Sequence, residues 1–218
     1  MDEVTNRLRP PLRAVMDRLS LDVADTQVDA LLAYLELLQR WNAHYNLTSV
    51  RDPAQMLTQH LADCLAVITP LRREVGSASA RLLDAGSGGG LPGVVIAILD
   101  PQIDVTCVDT VGKKAAFVQQ VAGELRMRNL HAQHARVEQM KAAPFDVVTS
   151  RAFASLVDFT TLTHAHLSGS GVWMAMKGKS PVDEFASLTD AVDVFHVEQL
   201  AVPGLSADRC LVWMRPKR

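Results

Sequence analysis

The sequence predicts an α/β fold, in which helices cover both faces of a doubly wound, mostly parallel sheet. Residues up to about 75 carry the apolar spacing of helices. From residue 81 onward, short segments rich in β-branched residues alternate with helix-like segments, which is typical of βαβ units. The last two strand-like segments have no helix between them, which predicts an antiparallel edge strand. We therefore expect an N-terminal helical subdomain over residues 1–75 and a ligand-binding sheet domain over residues 76–218.

Composition and charge are those of a globular protein that does not coat nucleic acid. The 218 residues suffice for one sizeable core, and the net charge is −2. A local basic patch remains compatible with this total. The three cysteines lie in apolar segments and no two have CxxC spacing, so we expect no metal site. No apolar stretch has the length of a signal peptide or a membrane span, which predicts a cytoplasmic protein without membrane contact.

Two helices are predicted in the first 75 residues. The first follows Thr26 as N-cap and has an apolar stripe at Val28, Leu31, Leu32, Leu35, Leu38 and Trp41. The second has Asp52 as N-cap and Pro53 at its first position. Its expected buried face consists of Met56, Leu57, Leu61, Cys64, Leu65 and Ile68. The polar segment between the two helices is predicted to be a turn-like loop.

The sheet domain is predicted from alternating segments. The strand-like segments are 81–86, 104–110, 131–134, 145–150, 171–178, 195–202 and 209–215. The helix-like segments are 92–100, 113–127 and 155–167. Because crossovers between parallel strands are right-handed, this order predicts helices on both faces of the sheet. The last two strands are joined by a loop with a Pro-Gly pair, which predicts a hairpin.

The segment LLDAGSGGGLPG (82–93) places five glycines in eight positions directly behind an apolar strand. Glycine loses more backbone freedom on folding than any other residue, so such a run is costly in a mere connection. At the first strand-to-helix turn of a doubly wound sheet, glycines permit a tight turn and close approach of the backbone to a ligand. The segment therefore predicts a ligand-binding loop, and Pro92 suits the first turn of the helix that follows.

The loop alone leaves the ligand open. Gly88, Gly90 and Gly93 match the dinucleotide pattern GxGxxG, and Asp109 lies near the expected distance downstream. An acid at the end of the second strand would bind the ribose of a nicotinamide cofactor or of S-adenosylmethionine equally well. Asp84 followed by Gly86 resembles the first motif of the class I, Rossmann-like S-adenosylmethionine-dependent methyltransferases. The glycine segment contains no lysine followed by Ser or Thr, so it is not a nucleotide-triphosphate P-loop.

Four segments together resemble the glucose-inhibited division B family. They are WNAHYNLTSVRD (41–52), DAGSGGGLPGVVIA (84–97), FDVVTSRAFASL (145–156) and MKG (176–178). The resemblance covers roughly residues 26–216, and SRAFASL and GLPG are specific to that family. It implies a class I methyltransferase that uses S-adenosylmethionine to methylate guanine N7 in 16S small-subunit ribosomal RNA. The implied partner is 16S ribosomal RNA or the 30S particle, and we expect a monomer.

The resemblance also implies site residues. The expected cofactor-binding residues are Gly86, Gly88, Leu91, Asp109, Val137, Glu138 and Arg151, with Val137 and Glu138 beside the adenine. Substrate contacts are expected from Asn46, Arg151 and Lys177. Arg151 and Lys177 follow strand ends, where an arginine can bind phosphate or the methionine carboxylate. Independently of the resemblance, the spacing of His60 and Asp63 puts them on one helical face. Two interpretations stay open for them, a local hydrogen bond or a part of the active-site rim, and a structural role is the expected one.

No catalytic residue is assigned, for a chemical reason. Guanine N7 carries a lone pair and no proton, so methyl transfer to it requires no general base and depends on alignment. Two other functions remain open at this point. The GxGxxG match and Asp109 would also suit an NAD(P)-dependent oxidoreductase, and a non-catalytic RNA-binding assembly factor could retain the same fold.

Overall fold

The computed structural model describes residues 3–151, 153 and 155–217, and its central feature is a seven-stranded sheet. The outer ends of the two predicted domains, residues 1–2 and 218, lie outside the described residues. So do Ala152 and Ala154 of the SRAFASL segment.

The predicted helices and strands are present in the predicted order, and the described residues form three further α-helices, the first two and the last in the chain. The α-helices are α1 (Glu3–Arg7), α2 (Arg9–Arg18), α3 (Asp25–Tyr45), α4 (Pro53–Met56), α5 (Asp63–Leu65), α6 (Ile68–Val75), α7 (Gly93–Leu99), α8 (Gly112–Glu124), α9 (Leu156–Thr163) and α10 (Val182–Phe185). The strands are β1 (Ala80–Ala85), β2 (Ile103–Asp109), β3 (Leu130–His134), β4 (Phe145–Ser150), β5 (Leu167–Lys177), β6 (Val192–Gln199) and β7 (Cys210–Pro216). A π-helical segment spans Leu57–Ala62, and 3₁₀ turns span Val137–Gln139 and His164–His166.

The strand order is β3-β2-β1-β4-β5-β7-β6, and β1 to β5 pair in parallel. The predicted antiparallel edge is confirmed as a hairpin, in which β7 runs antiparallel to both β5 and β6. Strand β7 takes the inner position, where its apolar residues Cys210–Met214 are all buried. Strand β6 forms the edge and is half-exposed along most of its length. The connection, residues 200–209, is longer than the short loop that the sequence predicted.

The strand order reverses between β1 and β4, and this reversal defines the ligand-binding edge. Right-handed crossovers that run in opposite directions place α7 and α8 on one face and α9 on the other. The carboxyl ends of β1 and β4 adjoin at the reversal, where Ser150 Oγ donates to the carbonyl of Ala85 (2.7 Å). In doubly wound sheets, ligands bind in the crevice outside such a point.

The N-terminal helices and the sheet share one hydrophobic core. The predicted stripe of α3 is buried from Val28 to Leu38, and it packs in the same cluster as Leu82, Val147 and Trp213 of the sheet. A second cluster, on the α9 face, includes Phe159. The boundary predicted near residue 75 falls between α6 and β1, but the packing crosses it.

The start of α3 differs from the prediction, while the start of α4 agrees with it. The N-cap of α3 is Ala24 and not Thr26, because the Gln27 side chain accepts from the Ala24 N–H (3.2 Å) and donates to carbonyls at the end of α7. The predicted N-cap Asp52 accepts from the Gln55 N–H (2.9 Å). The predicted buried face of the second helix is buried, but its middle is π-helical.

Candidate functional site

The glycine loop follows β1 at the ligand-binding edge. Gly86, Gly88 and Gly90 have φ values of 71°, 59° and 85°, a region that favours glycine. The Gly86 N–H donates to the carbonyl of Val108 (2.8 Å), which holds the loop against the end of β2. A Cβ built on Gly88 would meet nothing within 4 Å, so Gly88 faces open space. A Cβ on Gly90 would lie 2.4 Å from Val94, so this glycine is required for packing.

Asp84 lies beneath the loop and is fully buried. Its Oδ2 accepts from the Gly93 N–H (2.8 Å), and a Cβ on Gly93 would lie 2.9 Å from that oxygen and 2.5 Å from Cys107 Sγ. Burial raises the pKa of Asp84 to about 7, against the lowering effects of the Gly93 N–H and Arg151. Its other oxygen, Oδ1, has no hydrogen-bond partner. Gly93 thus lets α7 approach a carboxyl group that is easily protonated.

Asp109 ends β2, and its carboxylate is oriented by the glycine loop. One oxygen accepts from the Gly88 N–H and the other from the Val111 N–H, each at 2.9 Å. Lys114 Nζ lies 3.8 Å from Oδ2. The structure therefore brings the predicted second-strand acid to the glycine loop. A carboxylate oxygen accepts more than one hydrogen bond, so acceptor capacity remains for ribose hydroxyls.

Val137 and Glu138 lie in the 3₁₀ turn that follows β3, at the same edge of the sheet. The Ala135 N–H donates to the carbonyl of Asp109 (3.2 Å), which ties the start of this segment to the end of β2. The Val137 carbonyl accepts from His166 Nε2 (2.6 Å), and the Val137 side chain is buried. Glu138 is exposed, so its carboxylate is the accessible polar group of this pair.

A cavity of about 290 Å³ opens over the glycine loop. Its lining comprises Leu38, Leu47, Thr48, Ser49, His60, Gly86, Ser87, Gly88, Gly89, Leu91, Lys114 and Arg151. Helix α3 forms one wall of this cavity through Leu38. The same helix is bonded to the glycine loop, because the buried Tyr34 hydroxyl donates to the carbonyl of Gly89 (2.6 Å). The predicted Gly86, Gly88, Leu91 and Arg151 thus share this cavity, which we call the glycine-loop cavity.

A second cavity, of about 460 Å³, adjoins the first. The two share Thr48, Ser49, His60 and Arg151 as lining residues. The second cavity is further lined by Val50, Gln59, Asp63, Met176, Lys177, Gly178 and Arg209. Because the same side chains form both walls, the two cavities are parts of one cleft. His60 and Asp63, for which a structural role was expected, both line the second cavity.

The loop between α3 and α4 reaches the cleft through residues other than the predicted one. Asn42 is buried and braces the loop, donating to the Val50 carbonyl (3.0 Å) and accepting from the Thr48 N–H (2.9 Å). Asn46 caps α3 with φ 49° and accepts from Arg51 Nη2 (3.2 Å). Asn46 is exposed and is not among the lining residues of either cavity. A polar Asn42 beside the apolar stripe was the sequence signal for the bracing residue.

Arg151 lies just after β4 and shares a buried carboxylate with a second arginine. Its Nη1 donates to Asp63 Oδ2 and to the Gln59 carbonyl, both at 3.1 Å. Arg209 Nε donates to Asp63 Oδ1 (2.8 Å). Asp63 is only 1% exposed, so both of its oxygens are satisfied within the protein. Sequence reasoning missed Arg209, which lies 146 residues from Asp63.

The charge of the second cavity suits an anion. Among its described lining residues are three cations, Arg151, Lys177 and Arg209, and one carboxylate, Asp63. Lys177 Nζ also contacts both carboxylate oxygens of Glu184 (3.0 and 3.1 Å) outside the cavity. The arginines offer the fork geometry that matches phosphate or carboxylate.

His60 lies at the junction of the two cavities, in the π-helical segment. Its Nε2 is 2.9 Å from Thr48 Oγ1, and its Nδ1 is buried without a hydrogen-bond partner. Burial lowers the pKa of His60, and the nearby Arg151 lowers it further, so the imidazole is neutral at pH 7. Single π-helical turns within α-helices often occur at functional sites.

Within the described residues, no group of three or more His, Cys, Asp or Glu side chains is arranged to hold a metal ion. None of the described helices combines the length and apolarity that crossing a membrane requires.

Comparison with known proteins gives a consistent picture. Residues 27–212 match the model of the GidB family, described as rRNA small subunit methyltransferase G. The chain is 61% identical to the ribosomal RNA small subunit methyltransferase G of Leptothrix cholodnii, over 96% of each chain. It is 56% identical to the protein of the same name from Paracidovorax citrulli, over 100% of this chain and 94% of that one.

Among solved structures, the fold is similar to that of the 1,6-didemethyltoxoflavin-N1-methyltransferase of Burkholderia thailandensis, with a TM-score of 0.59. The match covers 85% of this chain and 90% of that one at 17% identity. That structure contains 1,6-didemethyltoxoflavin and S-adenosylhomocysteine. At this identity the likeness concerns the fold.

Proposed function

This chain belongs to the GidB family of rRNA small subunit methyltransferase G, and we propose that it transfers the methyl group of S-adenosylmethionine to N7 of a guanine in 16S ribosomal RNA. The observation that carries this proposal is the joined cleft. The glycine loop, whose Gly88 N–H donates to Asp109, forms one end, and a cavity with three cations forms the other. A cofactor and a phosphate-bearing substrate can therefore approach each other across shared walls.

The glycine-loop cavity fits the cofactor. Gly88 leaves open space where any other residue would place a Cβ, and its φ is positive. We assign cofactor binding to Gly86, Gly88, Leu91 and Asp109, with the Asp109 carboxylate accepting from the ribose hydroxyls. Glu138 is the assigned acceptor for the adenine amino group, with Val137 beside it. When bound, S-adenosylmethionine supplies an electrophilic methyl group on a sulfonium.

The protein's own contribution is orientation and exclusion of water. Guanine N7 has a lone pair and no proton, so no side chain has to remove a proton before transfer. The walls formed by α3 and by residues 47–49 hold the base against the glycine-loop cavity, which lowers the cost of alignment. The neutral His60, at the junction of the cavities, adds no positive charge that would repel the positively charged cofactor.

Arg151 and Lys177 are the proposed cations of the substrate end. Asn46, which is exposed and lines neither cavity, is a proposed substrate contact outside the cleft. Arg151 lines both cavities, so it can reach either an RNA phosphate or the methionine carboxylate. Asp63 fixes the Arg151 guanidinium in place, as it does that of Arg209. Glu184 fixes the Lys177 ammonium.

The dehydrogenase alternative is disfavoured. Gly88, Gly90 and Gly93 match the pattern GxGxxG, but the order of the strands differs. Strand β7 lies between β5 and β6, whereas the dinucleotide-binding fold has strand order 3-2-1-4-5-6. The family and the similar structure are methyltransferases. A non-catalytic assembly factor would not need the intact glycine loop and Asp109.

We place the activity in the cytoplasm, on 16S RNA either naked or within the 30S particle, and we propose that the protein acts as a monomer. The test uses 16S RNA and 30S particles from cells that lack this gene. Incubation with S-adenosylmethionine labelled in the methyl group should label the RNA, and cleavage at 7-methylguanine should map to one position. Label at a base other than guanine, or in no RNA, would refute the proposal.

Cofactor binding has its own test in Gly86→Val. A β-branched residue at φ 71° strains the turn and fills space at the cavity, so the stabilisation of the protein by S-adenosylhomocysteine should disappear. Gly76→Val is the matched control, because Gly76 also has a positive φ (65°) but lies before β1, outside the cavity. It should cost stability and leave cofactor affinity intact. Wild-type affinity in folded Gly86→Val would contradict the assignment.

A further inference from the structure

Tyr45 presents an aromatic ring at the end of α3, beside the cleft. It is 46% exposed and is one of four large hydrophobic residues that are exposed among the described residues. Its ring centroid lies 5.0 Å from that of Trp41, which lies 5.5 Å from the buried Phe117 in an edge-to-face arrangement. The exposed ring is thus supported by a row of packed rings that leads into the core.

A cation accompanies this ring. The exposed Arg51 donates to Asn46 Oδ1 (3.2 Å), the residue next to Tyr45, and it has no carboxylate partner among the described residues. An aromatic ring with a neighbouring cation that lacks a carboxylate partner favours a ligand that combines flat bases with negative charge.

The surface formed by Trp41, Tyr45 and Arg51, which we call the aromatic platform, is connected to the cleft by the loop that follows α3. Residues 47–49, directly after Asn46, line the glycine-loop cavity, and 48 and 49 also line the second cavity. A chain that places one residue in the cleft can therefore lay its next residue on the platform.

We propose that the aromatic platform binds an unpaired base of the substrate RNA next to the methylated guanine, by stacking on Tyr45, with Arg51 on the adjoining phosphate. This inference rests on the proposed function. In an RNA duplex, N7 lies in a deep, narrow major groove that side chains cannot read, so the guanine must be presented from a single-stranded segment. Drawing it into the cleft leaves its neighbour without a stacking partner, and an aromatic ring replaces that partner.

The experiment measures binding of naked 16S RNA to the protein saturated with S-adenosylhomocysteine, together with methylation kinetics. Tyr45→Ala should weaken RNA binding about 5- to 150-fold, the range for loss of one base–aromatic stack. The kcat at saturating RNA and the affinity for S-adenosylhomocysteine should stay at wild-type values. Tyr45→Phe should restore RNA affinity, because it keeps the ring. Tyr45→Leu, which keeps apolar contact with Trp41, should remain weak and thereby separates stacking from folding.

Arg51→Ala tests the phosphate contact through salt. The slope of log affinity against log salt should fall by about 0.7, as expected for one contact to single-stranded RNA. Leu162→Ala is the matched control, because Leu162 is a similarly exposed hydrophobic residue (37%) on α9, on the other face of the sheet. It should leave RNA binding unchanged.

Unchanged RNA affinity in Tyr45→Ala would overturn the inference, and so would a defect seen with 30S particles but not with naked RNA, which would indicate a protein contact. Either result leaves guanine methylation by the wild-type protein intact, so it is distinguishable from failure of the proposed function, in which the wild-type protein itself methylates no RNA.

Discussion

At the residue scale, the site is built around carboxylates in contrasting environments. Asp109 accepts two backbone N–H bonds at the end of its strand, and Asp63 is bonded by two arginines. Asp84 has one backbone donor for two oxygens and is fully buried. Its raised pKa follows from this shortage of partners, because burial penalises the charged form and only one hydrogen bond offsets that penalty.

The pH dependence of stability tests the state of Asp84. Between about pH 4 and 7 the unfolded chain has this carboxyl ionised, while the folded protein keeps its proton, so stability falls as pH rises. Asp84→Asn removes that dependence and retains an acceptor for the Gly93 N–H. In urea unfolding, the free energy of unfolding of the variant, relative to that of the wild type, should therefore increase by at most about 1.4 kcal/mol for each unit of pH.

The gain should level off above pH 7, where both states are ionised. Asp22→Asn, at an exposed position, is the control. Its free energy of unfolding, plotted against pH, should run parallel to that of the wild type. Parallel curves for Asp84→Asn would mean that the carboxyl is already ionised in the folded protein at low pH.

Replacing Arg151 separates its possible ligands. Arg209 still pairs with Asp63 in Arg151→Ala, so the buried carboxylate keeps a cation and the fold should survive. Loss of a phosphate contact would weaken RNA binding and leave cofactor affinity unchanged. The slope of log RNA affinity against log salt concentration would fall by the amount expected for about one phosphate contact. Loss of a carboxylate contact would instead weaken S-adenosylmethionine binding by about 1.5–3 kcal/mol.

Titration of both ligands at several salt concentrations distinguishes these results. Arg72→Ala is the matched control, because Arg72 pairs with the buried Asp100 away from the cleft lining (2.7 Å) and should affect stability alone. If Arg151→Ala changes neither affinity nor methyl transfer, its pair with Asp63 is structural and the site assignment fails.

At the scale of elements, α3 is a wall of the proposed cofactor site as well as part of the core. Tyr34 is fully buried in that helix and bonds the Gly89 carbonyl, while Leu38, one turn later, lines the cavity. Burial raises the pKa of Tyr34 well above its ordinary value, so the hydroxyl remains a neutral donor. The helix therefore fixes the conformation of a loop 55 residues away.

Tyr34→Phe tests this coupling. It keeps the packing and leaves the Gly89 carbonyl unpaired, which should cost about 1–2 kcal/mol of unfolding free energy and weaken binding of S-adenosylhomocysteine. Calorimetric titration and urea unfolding measure the two effects. Tyr45→Phe removes the other tyrosine hydroxyl, at an exposed position, and should leave stability unchanged. Full cofactor affinity in Tyr34→Phe would show that the glycine loop holds its shape without α3.

At the scale of the whole molecule, the shared core predicts one cooperative unfolding transition. The N-terminal helices bury Leu31, Leu35 and Leu38 in the same cluster as Val147 and other strand residues. Residues 76–218 alone would lack these helices and would expose the apolar surface that they cover, so the fragment should fail to fold. Far-UV circular dichroism and tryptophan fluorescence of the full chain should give coincident urea transitions. Two separate transitions would support two independent domains at 1–75 and 76–218.

The sequence by itself determined the strands, the main helices and the positions that they bury, whereas α1, α2 and α10 were not predicted. Apolar spacing in α3 and β-branched runs in the strands report local periodicity, which the chain carries without knowledge of its partners. The glycine run and Asp109 were likewise predictable, because a ligand-binding turn after a first strand restricts residue type. Family resemblance added Val137, Glu138 and Arg151, which spacing alone does not distinguish from ordinary surface or strand-end residues.

Only the tertiary structure decided how distant side chains meet. Tyr34 reaches Gly89, and Arg209 reaches Asp63 across 146 residues, because β7 is inserted between β5 and β6 and the N-terminal helices cover the sheet. The same packing made Gln27, and not Thr26, set the start of α3, and it merged two cavities into one cleft. Such contacts depend on strand order and helix placement, which the whole chain determines through its shared core.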